Sequence, residues 1–258
     1  MLLRVRVTLP DRPGALGQVA RTLGVSGADI VQVVVLERLG GRAVDDFTVV
    51  WPGAARVERL MAGLAAIPGV RVDGVWRAIG APVNGGHDSE LLAQVAANPA
   101  DGLATLVDAV PGLLAADWAA AVVVPPDWAN RSGLPGVGDP ALLYASWRAP
   151  SPPRLPEVTP LRARPLDGAD GTRYAVAPFG RAGLVLVVAR VGVGQASGAS
   201  QRRRGDHSVP GEDDELGAAA FHVTEVDRVA QLVKAAAVVL GDRLDAAVET
   251  EPAATASG

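Results

Sequence analysis

Asp11-Arg12-Pro13-Gly14-Ala15-Leu16 closes one periodicity and opens another. Before it, Leu3, Val5, Val7 and Leu9 alternate with Arg4, Arg6 and Thr8, the period-two pattern of a strand with one covered face. After it, Leu16, Val19, Ala20 and Leu23 recur at helical spacing until Gly24 and Gly27 stop the run. The stretch is therefore a strand-to-helix turn, with Pro13 placed near the helix start, where its fixed φ is tolerated.

Working outward, Ile30 to Leu36 is apolar and β-branched, and Gly40-Gly41 supplies the positive φ of a tight hairpin. Phe47, Val49 and Trp51 alternate on the return strand, so the two strands are expected to be antiparallel neighbours. After Pro52-Gly53, Val57, Leu60, Met61, Leu64 and Ile67 repeat at three and four, the stripe of a second helix that ends at Pro68-Gly69. Val70, Val72, Val75 and Trp76 give a last strand. Strand, helix, strand, strand, helix, strand suits a ferredoxin-like βαββαβ unit: a four-stranded antiparallel sheet with two helices on one face.

The turn Asp11 to Leu16, with Gly27-Ala28-Asp29-Ile30 after the helix and the complete strand order, resembles an ACT domain over residues 1–79. That resemblance implies a regulatory module that binds an amino acid or related metabolite, in a pocket formed between two subunits of a homodimer. Family members that bind amino acids often carry Asn where this chain has Asp29. Gly14 lets a ligand approach the main chain, and the N–H groups of Gly14, Ala15 and Leu16 at a helix N-terminus suit a carboxylate. Asp29 and the main chain of Ile30 suit an α-ammonium across that pocket. The plainer alternative is that Asp11 and Pro13 only shape the turn and Asp29 is solvated.

Residues 80–87, with Pro82, Asn84, Gly85 and Gly86, read as a linker. Beyond it, helices are expected over Ser89 to Ala97 and after an Asn98-Pro99 cap, the second with the stripe Leu103, Leu106, Val107 and Val110 interrupted at Pro111-Gly112. Strands are expected at Trp118 to Val124, Leu142 to Arg148, Thr172 to Pro178 and Leu184 to Arg190. Thr224 with Asp227 reads as the capping box of a closing helix, whose stripe runs from Val226 to Leu244. Gly180 to Val188 and Phe221 to Glu225, followed by that helix, resemble a GAF domain over residues 88–245, an α/β sandwich around a central antiparallel sheet. No ligand motif of that family is present. Residues 192–217 and 246–258 are polar or small and read as a disordered insertion and tail. The fold class is α+β.

Of 258 residues, 24 are basic and 28 acidic, and aromatics are 4%, which disfavours a nucleic-acid partner. Cysteine is absent, removing disulfides, thiolate metal sites and Cys nucleophiles, and fitting a reducing compartment. The opening strand lacks a signal-peptide core, and no apolar run nears the ~20 residues that span a bilayer, so a cytoplasmic location without membrane contact is expected. Asp45-Asp46 sit on opposite sides of a strand and read as solvated. His87, His207 and His222 lack ligand spacing, so no metal is expected. Gly192-Val193-Gly194-Gln195 lacks the helix that a dinucleotide loop needs, and Arg202 to Arg204 read as a solvated charge run. No nucleophile elbow, phosphate loop or zinc-protease motif occurs, so neither a cofactor nor catalysis is expected. Trp118, Trp128, Tyr144, Trp147 and Tyr174 are candidate pocket walls in the second domain, or core. The sequence thus reads as a non-catalytic, small-molecule-sensing regulatory protein, or alternatively as a ligand-free dimerisation scaffold.

Overall fold

The computed structural model describes residues 1–52, 57–78, 86–124, 140–181, 183–191 and 217–250. The chain divides into two compact units. The first comprises Met1–Pro82 with two returns, Asp170–Thr172 and Val191–Ala219; the second comprises Val83–Ala169, Arg173–Arg190 and Ala220–Gly258. The main division falls inside the stretch read as a linker. Residues 79–85, most of the insertion read at 192–217, and 251–258 lie outside the described residues, and with them Trp128, Arg202 to Arg204 and His207.

The first unit runs β1 (Leu2–Pro10), α1 (Ala15–Val25), β2 (Asp29–Leu39), β3 (Arg42–Val50), α2 (Val57–Ala65) and β4 (Arg71–Arg77). The sheet order is β2-β3-β1-β4 with every pair antiparallel, the split βαβ arrangement that the element order favours. Gly40 (φ +60) and Gly41 (φ +75) form the two-residue hairpin turn, which needs positive φ at both positions. Ala15, Val19 and Leu23 of α1 and Leu60 and Leu64 of α2 pack on Leu3, Val5, Val7, Leu9, Ala43, Phe47 and Val49. That core depends on the period-two strands and the three-and-four helix stripes facing each other.

The opposite sheet face is not wet, contrary to the reading of β1 as covered on one side. Arg6, Thr8, Asp46 and Thr48 are buried there. Trp76 clusters with Ala218 and Ala219, and the Val75 N–H donates to the Gly217 carbonyl at 3.3 Å. A Cβ at Gly74 would lie 2.4 Å from the Ala219 nitrogen, so the glycine is what permits this approach. Residues 217–219, assigned from sequence to the second domain, thus belong to the first unit because small residues let them lie against β4.

The second unit contains α3 (His87–Ala97), α4 (Gly102–Leu114), β5 (Trp118–Val123), β6 (Ala141–Ala145), β7 (Arg164–Asp167), β8 (Arg173–Pro178), β9 (Leu184–Arg190), α5 (Val223–Leu240) and α6 (Asp242–Thr250). Its sheet, β6-β5-β9-β8-β7, is antiparallel throughout. Leu91, Leu106, Val110, Val229, Val233 and Leu240 of the helices cover Ala119, Ala121, Ala175, Ala177, Leu186 and Val188 on one face. Trp118, Val122, Tyr174, Val176, Val185 and Val187 form a second core on the other, under Val158 and Leu155.

Several local expectations are corrected. His87, placed in the linker, opens α3. α4 starts at Gly102 behind Asp101, whose Oδ2 accepts the Asn98 Nδ2–H at 2.7 Å, so Asn98 lies outside the helix and is not its cap. The same helix runs through Pro111 to Leu114. The cap of α5 is His222 with Glu225, two residues earlier than Thr224 with Asp227: Glu225 Oε2 accepts the His222 N–H at 2.8 Å, and His222 Nδ1 accepts the Thr224 N–H at 3.3 Å. Gly241 (φ +52) ends α5, and α6 makes residues 246–250 of the expected tail helical. β7 was not anticipated, because Pro165 reads against a strand; it is an edge strand, where a missing N–H is tolerated.

Candidate functional site

The Asp11 to Leu16 turn is fastened to the hairpin by the Asp11 N–H, which donates to the Gly41 carbonyl at 2.8 Å. Gly14 precedes α1 with φ +88, and a Cβ built there would meet nothing within 4 Å. Of the three amides read as a carboxylate cradle, that of Ala15 is engaged with the Arg12 carbonyl at 3.2 Å. Those of Gly14 and Leu16 have no main-chain acceptor among the described residues. α1 has neither a side-chain cap nor an acidic residue in its first turn, so its positive dipole end is left for an anion. Ala15 is buried in the core, Pro13 is exposed and Leu16 is 41% exposed.

Asp11 does more than shape a turn. Its carboxylate accepts Arg38 NH2 at 2.5 Å and Nε at 3.1 Å. Arg38, near the end of β2, was not singled out from sequence, where no spacing rule links positions 11 and 38. The pairing exists because the hairpin brings the end of β2 beside the turn.

Asp29 and Ile30 do not join Gly14 within one copy. In the sheet register Asp29 lies opposite Val50, which lies opposite Leu2, whereas Leu39 lies opposite Arg42, which lies opposite Pro10. β1 therefore separates the start of β2 from the turn by eight residues, about 26 Å at ~3.3 Å per residue. Asp29 is exposed and Ile30 packs against the core. A cavity with the turn on one wall and Asp29 on the other is absent from a single copy, because α1 carries the chain back to the far end of the sheet before β2 begins.

The paired acids Asp45 and Asp46, read as solvated, are both buried, at 3% and 1% exposure. Asp46 faces Arg6 on the polar side of the sheet. Asp45 sits between Ala43 and Phe47 in the inward alternation of β3, directly opposite Val7. Its Oδ1 is buried without a hydrogen-bond partner. Burial pushes its carboxyl above the usual carboxylate range; Arg38 opposes this, while Asp46 and Asp11 add to it. The inward positions Ala43, Phe47 and Val49 are the sequence signal that would have placed Asp45 on the covered face.

In the second unit, Trp118 and Tyr174 are core residues that meet edge to face at 6.1 Å. Tyr144 donates to Asp108 Oδ2 at 2.8 Å, and Trp147 is 80% exposed. Among the described residues, Trp118 and Tyr174 therefore meet in the core, and Tyr144 and Trp147 do not join them. A hollow of about 650 Å³ is lined instead by Pro140, Leu142, Ser146, Pro152, Leu155 and Pro156, and the Ser146 hydroxyl already accepts the Ala119 N–H at 2.9 Å. Among the described residues no group of three or more His, Asp or Glu side chains is placed to hold a metal ion, and no helix is long and apolar enough to cross a membrane.

No known protein family matches the chain, and no curated protein does. Among solved structures it is similar to a formyltetrahydrofolate deformylase from Pseudomonas putida KT2440, at 17% identity over 38% of this chain and 39% of that one, with a TM-score of 0.27. It is also similar to an unknown protein from Galdieria sulphuraria, at 13% identity over 73% of this chain and 78% of that one, again with a TM-score of 0.27. The chain spans well under half the length of the deformylase.

Proposed function

We propose that this chain is a non-catalytic regulatory protein of the ACT type, binding an amino acid or a related small zwitterion at sites completed by two copies of its first unit. The observation that supports the reading is the register. β2 is an edge strand, and an edge strand presents unpaired main-chain groups to a second strand. Two copies related by a two-fold axis would pair their β2 strands antiparallel, so the start of one β2 lies beside the end of the other. The end of β2 is where the Gly41 carbonyl holds Asp11. Asp29 and Ile30 of one copy then approach the Asp11 to Leu16 turn of its partner.

In that arrangement the Gly14 and Leu16 amides hold the carboxylate, and carboxyl groups opposite balance the ammonium. A ligand that bridges two copies binds the paired state more tightly than the single copy, and so shifts the equilibrium toward it. The second unit, which resembles a GAF domain, would respond to that change. Val31, Val33 and Val35, 43%, 40% and 52% exposed along β2, also favour the alternative of a ligand-free dimerisation scaffold. A melting screen against the twenty standard amino acids, with sedimentation of the same samples, separates the two. A ligand at a hundred times its dissociation constant stabilises by about 2.7 kcal/mol and should raise the paired fraction; a dimer whose midpoint no amino acid moves is the scaffold.

A further inference from the structure

Asp45 is the one described carboxylate that combines deep burial with an oxygen lacking any partner. Native structures rarely leave such an atom unsatisfied, and each one that is left calls for a physical explanation such as strain, a catalytic role or a bound water or ion. Its place in the fold is specific. It lies three residues into β3 from Arg42, where the hairpin and the Asp11 to Leu16 turn meet, and on the face covered by α1. On β2, Val35 lies directly opposite Asp45 and Val33 opposite Phe47, and both valines are substantially exposed. The cover over this face therefore thins at the β2 edge, which gives a small molecule a route to the carboxylate.

The charges around it do not balance. Arg38 carries one positive charge, and Asp11 already takes it in a forked pair. Asp46 is neutralised by Arg6 on the other face. Asp45 is left with one negative charge and no cation of its own. The deficit is met by a group that brings a positive charge and N–H donors.

We infer that Asp45 is the cation anchor of the ligand site, receiving a primary ammonium group whose carboxylate lies on the Gly14 and Leu16 amides of the same copy. This rests on the reading of the chain as an amino-acid binder and names the contact that selects an amino acid over an uncharged or purely anionic metabolite. Asp29 of the second copy, exposed and solvated, then closes the rim. A buried carboxylate meets an ammonium at low dielectric, where their attraction exceeds that of a solvated pair.

The experiment is titration calorimetry of the full chain against the twenty standard amino acids and, for each one that binds, its 2-oxo acid, which keeps the carboxylate and lacks the ammonium. The wild type should bind the amino acid at least tenfold more tightly than its 2-oxo acid, and Asp45→Asn should erase that difference, leaving the 2-oxo acid unchanged. Equal binding of the two by the wild type, or undiminished binding of the amino acid by Asp45→Asn, overturns the anchor and leaves the amino-acid reading standing. If the wild type binds neither kind of compound, the reading fails and the anchor fails with it. The wild-type comparison needs no variant, so the test survives a variant that does not fold.

Discussion

Arg6 and Asp46 form a two-point ion pair, Nε to Oδ1 at 2.6 Å and NH2 to Oδ2 at 2.8 Å, across adjacent strands and almost wholly out of water. The Trp76 ring lies 5.3 Å from the Arg6 guanidinium, and Arg4 stands 3.8 Å from the same carboxylate. Removing Arg6 leaves the buried Asp46 facing Arg4 at 3.8 Å, beyond hydrogen-bond distance, and removing Asp46 takes the carboxylate from a buried guanidinium. Asp46→Ala or Arg6→Met should each destabilise the protein by about 3–5 kcal/mol, whereas the double variant Arg6→Met/Asp46→Leu should recover much of that loss. Urea unfolding of the four proteins measures this directly. Additive single-variant effects would show that the pair does not act as a unit.

Arg190 plays the corresponding part in the second unit. It is fully buried, bonds Glu225 Oε1 at 2.7 Å and the Leu114 carbonyl at 2.7 Å, and lies 4.0 Å from the Phe221 ring. Its Nε reaches the carbonyl of Ala115, a residue held at φ +48 just after α4. One side chain thus ties β9 to the end of α4 and the start of α5. Arg190→Lys keeps the charge but cannot address three acceptors with a planar fork, so it should still lose about 2–4 kcal/mol. A loss under half a kcal/mol by chemical denaturation would show that charge alone suffices.

What could be read from the sequence was whatever depends on neighbours along the chain. The βαββαβ order, the Gly40-Gly41 hairpin and the stripes of α1 and α2 follow from local periodicity, and the structure has them. The buried polar face of the first sheet was missed because Arg4, Arg6, Thr8 and Asp46 look like an exposed stripe until residues 217–219, far away in sequence, are laid beside them. The candidate site was half legible. Gly14 and the turn announce themselves through backbone chemistry, but the Arg38 partner of Asp11 and the burial of Asp45 follow from strand register, which one strand alone does not encode.

Gly14 should tolerate no side chain cheaply, although space is open around it. At φ +88 the cost of an L-residue lies in the backbone, about 1–2 kcal/mol, and not in collision. Gly14→Val should lower the melting temperature and abolish any shift produced by amino acids, while Gly14→Asn, which accepts the left-handed region better, should fall between. Thermal melts with and without the amino-acid panel check the order. Retention of a full ligand shift in Gly14→Val would remove the turn from the site.

Asp45 gives a pH signature with a definite sign. Its carboxyl in the folded state lies above its ordinary value, chiefly through burial, so the ionised form is disfavoured by folding. The penalty is present above the folded-state value and is relieved as pH falls through it toward the ordinary carboxylate range. Asp45→Asn should therefore be more stable than wild type at neutral pH, by about 1–3 kcal/mol for a buried unsatisfied group. The gap should close on acidification toward pH ~4. Parallel denaturation curves across that range provide the check. A variant less stable than wild type at neutral pH would mean that Asp45 has a partner that stabilises its charge.

The β2 edge carries the remaining prediction, because in the proposed arrangement dimerisation through it would bring Asp29 to the turn. Val33 and Val35 are exposed where a second β2 would align, and a lysine there sets like charges against each other across the two-fold axis, a common device by which edge strands resist pairing. Val33→Lys/Val35→Lys should leave the far-ultraviolet circular dichroism unchanged, since neither side chain is buried, and should weaken self-association at least a hundredfold by sedimentation. Amino-acid binding should weaken with it, because the partner's Asp29 no longer reaches the site and the lysine at position 35 lies opposite Asp45, while the Gly14 and Leu16 amides remain in each copy to give a residual, concentration-independent affinity. A wild type that sediments as a single subunit at every concentration, with or without amino acids, would remove the two-copy site and leave only the contacts made within one chain.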